Sequence, residues 1–298
     1  MNFNYSLLFQ ADSLLPLPLA YIFVGAFGAI IGSFLNVVIH RLPNEESIVF
    51  PSSHCPKCNV QIKPYDNIPI ISWLVLGGKC RACKAPISAR YPAVEALTAL
   101  LYLAVFWHAR LTFALPFELI FVTGIVALVF IDAEHMILPD KITYPGIVFA
   151  VTARVVLPFV LGQPYFDDLN HGLLAKFPTW PIWSVSLIGA LLGAIAGGGL
   201  LWLVGFLWER LRGVEAMGLG DVKMMFGVGA FLGWRLTLLT IFLASLTGSI
   251  AGIAKKLKDG ELSLEGRLPF GIFLGLGSVM ALLVGQQLVA WYVRNFIP

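Results

Sequence analysis

Gly218-Leu219-Gly220-Asp221-Val222-Lys223 sets a carboxylate and a lysine at the mouth of an apolar segment, directly after two glycines. What that carboxylate means depends on the medium around it. The 298-residue chain is 58% hydrophobic and only 12% charged, with a mean hydropathy of +0.83. A soluble domain carries roughly 25% charged residues. The chain therefore reads as an all-α polytopic membrane protein. An ionisable group at the edge of such a bundle is expensive and is a functional candidate by default. The net charge of +3 is too small to argue for a nucleic-acid partner.

The neighbouring segments follow from length and apolarity, at ~20 residues per helical span. Residues 1–18 form an external lead-in, broken by Pro16 and Pro18. The first span is 19–39; with no Lys or Arg before Arg41, it lacks the basic region of a cleavable signal peptide and reads as retained. Its glycines Gly25, Gly28 and Gly32 allow close helix contact, and Asn36 suits an interhelical hydrogen bond. Residues 40–92 are polar, and 93–298 form a multi-span core. Spans are expected near 93–109, 114–131, 142–161, 182–207, 236–254 and 269–293, with 221–234 too short to cross alone. That makes about eight membrane segments and one small loop domain. Arg154 falls inside a span, which places it in the bundle interior or as a snorkelling side chain.

Basic residues orient the chain. If 40–92 is cytoplasmic, so are 132–141, 209–223 and 255–267, and these links hold fifteen of the twenty Lys and Arg. Cytoplasmic links carry such an excess. Both termini then lie outside, and Asp132 and Asp221 share the cytoplasmic edge.

All four cysteines lie in the loop. Cys55-Pro-Lys-Cys58 and Cys80-Arg-Ala-Cys83 are separated by twenty-one residues. Two thiolates of one tight turn converge on an ion, and two such turns complete a tetrahedral four-sulfur zinc site. Pro56, Gly77 and Gly78 supply turn chemistry. Disulfides do not suit a reducing cytoplasmic face. A closed four-thiolate site is structural: it holds together a loop too small for a core. His54 reads as a bystander.

Two aspartates at one membrane edge suggest a dyad. Close carboxylates share a proton; the ionised one activates water and the neutral one polarises a carbonyl. Gly218 and Gly220 would let a substrate backbone approach, and also allow hinging. Other readings stay open on the residues alone. Asp140 suits a helix N-cap, Asp221 could pair with Lys223 or near Lys141, and intramembrane carboxylates also serve transport. Asp132 and Asp140 are equal candidates as partner, with Glu95, Glu134 and His135 nearby.

The motifs resemble one family. Gly218-Leu-Gly220-Asp221-Val-Lys223 is similar to the GxGD signature of membrane aspartic proteases, and the rest resembles bacterial type IV prepilin peptidases. The matching stretches are Gly32-Ser-Phe-Leu-Asn36-Val-Val-Ile-His40-Arg41-Leu-Pro43, the two CxxC pairs and Pro69-Ile-Ile-Ser-Trp73. Further on they are Tyr91-Pro-Ala-Val-Glu95, Ile131-Asp132 with Leu138-Pro139-Asp140, and Leu268-Pro-Phe-Gly271. The resemblance implies that Asp132 and Asp221 are catalytic. The implied substrates are prepilins and type II secretion pseudopilins, cut at the cytoplasmic face after a glycine, commonly before phenylalanine. It implies a second activity, N-methylation of the new terminus by S-adenosylmethionine, associated with the cysteine-bearing loop. It also implies the bacterial inner membrane. No Rossmann-type glycine loop marks a donor site, and the residues do not tell the oligomeric state. Ile272 departs from the pattern, where the family often has proline. A transporter and a non-enzymatic envelope scaffold are the competing classes.

Overall fold

The computed structural model describes residues 16–161, 179–213, 217–259 and 269–296. Most of the lead-in, most of the loop at 162–181 and most of the basic loop at 255–267 lie outside the described residues. The described chain is helical, with two isolated bridges, His54 to Gln61 and Lys79 to Pro86. It divides into two units, Met1–Ala127 and Leu128–Pro298.

The first unit is built on α1 (Leu17–Arg41) and α3 (Arg90–Ala109), with the short α2 (Ile71–Val75) between them. α1 starts after Pro16 with Pro18 in its first turn, where a missing N–H costs nothing. His40 and Arg41 close it, next to its negative dipole end. The two long helices pack through glycines. A Cβ on Gly28 would stand 2.9 Å from Ala99 Cα, and one on Gly32 2.7 Å from Glu95 Cα. Asn36 Nδ2 donates to the Tyr91 carbonyl at 3.0 Å, the interhelical bond expected of it. α4 (Leu115–His135) straddles the division between the units. Within the first unit, the Tyr102 hydroxyl lies 2.7 Å from Thr123 Oγ1 on α4.

The second unit contains the end of α4, α5 (Asp140–Leu161), α6 (Ile182–Ala194), α7 (Leu200–Arg212), α8 (Leu219–Leu232), α9 (Trp234–Asp259) and α10 (Phe270–Phe296). A π-helical turn at Ile195–Gly199 joins α6 and α7 into one long rod. Gly213, at φ +66°, ends α7 with its N–H on the Glu209 carbonyl. α8 is the centre: Met224, Met225 and Val228 to Leu232 are buried. α6 reaches it backbone to backbone, because Gly193 faces Gly229 with no side chain between. Arg154 of α5 is fully buried, so it occupies the bundle interior and does not snorkel.

Each of the eight expected segments is helical, and six candidate spans are long and apolar enough to cross a membrane. The six begin at Leu17, Arg90, Leu115, Ile182, Trp234 and Phe270. α5, the span expected at 142–161, is 22 residues long but is not among them, and neither is α8, with 14 residues. At 1.5 Å per residue it is about 21 Å long, short of a ~30 Å hydrocarbon core.

Candidate active site and cysteine cluster

The site in the second unit forms where three helix ends meet. Asp221 lies in the first turn of α8, three residues past its Gly218 cap. A negative charge there is favoured by the helix dipole. Asp132 lies in the last turn of α4, where its own helix dipole is unfavourable. The compensation comes from α10, whose first-turn amides at Gly271 and Ile272 face the Asp132 carboxylate. These are donors that a helix start leaves without intrahelical partners.

Gly271 is the contact point of the two acids. A Cβ there would stand 2.7 Å from Asp132 Oδ2 and 3.3 Å from Asp221 Oδ1. The two oxygens are therefore separated by no more than the sum of those distances. Asp132 is 6% exposed, and its Oδ2 is buried with no hydrogen-bond partner among the described residues. A buried unpaired oxygen of this kind costs free energy unless a ligand or water completes it.

Geometry separates two residues that the sequence leaves equal. Asp140 accepts from Lys223 Nζ at 2.7 Å, in an exposed pair, whereas it is Asp132 that shares the Gly271 contact with Asp221. Lys223 also lies 5.0 Å from the Tyr144 ring centroid. Lys223 therefore ties α8 to α5. Asp140 does not cap its helix either, since Pro139 provides the carbonyl that Ile142 and Thr143 bond. Gly220 has a packing reason to be glycine: a Cβ would meet Leu138 Cβ at 2.9 Å. Gly218 has an ordinary extended backbone, φ −67° and ψ 139°. Glu134 and His135 are exposed. The sequence carries one signal for Gly271, a Pro-Phe-Gly at the entry of a span, and that signal does not say what the glycine faces.

The cysteine loop is built from two matching turns. Cys55 N–H bonds the Val60 carbonyl and Asn59 N–H returns to Cys55; Cys80 N–H bonds Ala85 and Lys84 N–H returns to Cys80. In each, the residue after the second cysteine has positive φ, Asn59 at 54° and Lys84 at 60°. The four sulfurs lie within 4.8 Å of one another, and Cys55 and Cys83 are 3.8 Å apart. Sulfurs bound tetrahedrally at ~2.3 Å stand about 3.8 Å apart, so the donor set fits zinc. Backbone N–H groups of Lys57 and Cys58 donate to the Cys55 sulfur and lower its pKa, while at Cys58 the Val60 N–H is outweighed by burial and the neighbouring sulfurs, which raise it, as expected where close thiols share one negative charge. Arg81 donates twice to Asp66, at 2.6 Å and 2.8 Å, holding that carboxyl below the usual range and bracing the second turn. His54 is exposed, with Nδ1 near the Ser52 carbonyl and not among the sulfurs.

Glu95 binds the loop to α3. Its Oε2 accepts from Ile70 N at 2.7 Å, where Ile70 is held at φ 63°. It also accepts from the Ser33 hydroxyl of α1.

Fold and site together define a class: a multi-pass helical membrane protein with a paired-carboxylate site and a four-cysteine loop. The sequence comparisons narrow it. Residues 26–109 match the model of the bacterial peptidase A24 N-terminal domain, and residues 119–253 that of the type IV leader peptidase family. A Pseudomonas aeruginosa protein named prepilin leader peptidase/N-methyltransferase is 36% identical, covering 95% of this chain and 97% of its own. Proteins of the same name from Aeromonas hydrophila and Legionella pneumophila are 38% and 33% identical, covering 91% and 92% of this chain and 93% and 94% of their own. No solved structure matches. The chain belongs to the prepilin leader peptidase/N-methyltransferase family.

Proposed function

We propose that this chain removes the short basic leader of type IV prepilins and type II secretion pseudopilins and N-methylates the new terminus. Asp132 and Asp221 are the catalytic pair. The observation that carries this is their convergence on Gly271, with one Asp132 oxygen buried and unpaired. One carboxylate takes a proton from water as it attacks the scissile carbonyl. The other, protonated, donates to the carbonyl oxygen. Gly218, Gly220 and Lys223 support the pair by setting the start of α8 against α5 and the Leu138 turn. Cutting after glycine and before phenylalanine would release an amine for methylation, with S-adenosylmethionine as donor.

Cys55, Cys58, Cys80 and Cys83 would hold zinc. The ion supplies a cross-link for the loop, with no open position for chemistry. The excess of Lys and Arg in the links at 40–92, 132–141, 209–223 and 255–267 supports an orientation with the loop and both aspartates at the cytoplasmic side of the bacterial inner membrane and both termini in the periplasm.

The test is purified protein in detergent with a prepilin, read by the gel shift of leader loss. Asp132→Asn and Asp221→Asn should each abolish cleavage, by at least about 10³-fold, the scale of losing an acid–base group and its partner. Cleavage retained in either variant removes that residue from the pair.

A further inference from the structure

Two of the quoted motifs serve neither the aspartates nor the cysteines: Gly32–Pro43 and Pro69–Trp73. In the first unit they meet. The C-terminal half of α1, the strap at 48–53 and the Asn67–Pro69 turn line an open cleft of about 380 Å³. Ser33, Phe34, Val37 and Arg41 come from the first motif, and Pro69 from the second. Binding sites for small ligands fall in this size range, ~300–1,000 Å³, with apolar walls and a few placed polar groups.

The walls are held in place. Glu95 accepts from Ser33 on one wall and from Ile70, next to Pro69, on the other. Arg41 is buried and donates Nη1 to the Ser47 carbonyl at 3.0 Å, fastening the end of α1 to the strap. Among the described residues, no side chain fills the space these walls border.

We propose that this cleft binds S-adenosyl-L-methionine. The inference rests on the methyltransferase half of the proposed function and adds the site. The lining matches the three parts of such a ligand. Phe34, Pro51 and Pro69 offer apolar surface for a purine. The hydroxyls of Ser52 and Ser53 and the amide of Asn67 can bond a ribose diol and the purine edge. Arg41 presents a guanidinium, the group whose planar fork suits a carboxylate. The cleft opens between a membrane helix and the polar loop, so a polar donor can enter from water while an apolar pilin terminus stays near lipid. The bound donor supplies a methyl group: the neutral pilin amine bonds its carbon, the carbon–sulfur bond breaks with its electron pair left on the thioether product, and the surplus amine proton passes to water.

The experiment reads binding without any pilin, so its failure and a failure of the peptidase reading are distinguishable. Unmodified full-length protein in detergent is titrated with S-adenosyl-L-methionine by calorimetry, and a photoreactive adenosyl analogue is cross-linked and mapped by mass spectrometry. The label is expected within residues 30–69. Ser53→Trp, which fills the cleft, and Asn67→Ala should weaken binding by about tenfold or more, the loss of one or two ordering contacts, with zinc content unchanged. A label confined to Leu128–Pro298, or an affinity unchanged in both variants, overturns the assignment. If a variant loses its zinc, the cross-link on the unmodified protein decides.

Discussion

Gly271 shows how much one missing side chain can position. Any Cβ there would press on Asp132 Oδ2 at 2.7 Å and stand against Asp221. Gly271→Ala should therefore lower kcat for leader cleavage about 100-fold with little change in KM, since displacing reacting groups by ~1 Å costs that much. The check is steady-state cleavage beside methylation of a pre-cleaved pilin. An equal loss of both activities would mean general damage and not a displaced pair. The neighbouring Ile272 sends its amide toward Asp132. A proline, frequent at that place in the resembling family, has no N–H to give. So a departure that looked incidental in the sequence adds a donor to the site. Asp132 itself was legible as a candidate, but only beside Asp140. Both end or begin a span, and local sequence does not say which one meets the start of a helix about 140 residues later.

At the scale of elements, small residues decide which helices touch. α1 and α3 pack through Gly28 and Gly32, where Ala99, Tyr102 and Glu95 already occupy the space. Gly28→Val should cost about 1–3 kcal/mol by overpacking, seen as a lower thermal midpoint in detergent. Gly124→Ala, with nothing within 4 Å of its Cβ, is the control and should leave the midpoint unchanged. The same logic keeps α8 inside. Its apolar run is too short to cross lipid, and the glycine faces of α6 and the π-helical turn let it be surrounded by protein. The sequence shows the short length of α8. It does not show that Gly193 and Gly229 face each other, because that depends on which helices are neighbours.

For the whole molecule, the division at Ala127 and Leu128 separates the four-cysteine loop from the two aspartates. Chelation of zinc should therefore raise hydrogen exchange across residues 53–87 and abolish methylation while leader cleavage persists. Cys58→Ser with Cys83→Ser should do the same. Exchange is read by mass spectrometry, metal content by elemental analysis, and the two activities by separate assays. Cleavage lost in parallel with methylation would show that the loop also supports the peptidase. A fresh, metal-replete preparation should contain about one zinc per chain; a content near zero removes the four-thiolate site.

The medium, the helical segments and the chemistry on offer follow from composition and local pattern. Apolar runs longer than a hydrocarbon core, a one-sided distribution of Lys and Arg, and paired CxxC turns are local or summed properties, readable without knowing any contact. The pairings come from packing. Packing turned Lys223 to Asp140, set Leu138 against Gly220, brought Asp132 and Asp221 to one glycine of α10, and formed an open cleft between two motifs with no role in either site. These are contacts between residues far apart in the chain. They depend on helix neighbours and on the absence of Cβ atoms at crossings, which no window of sequence contains.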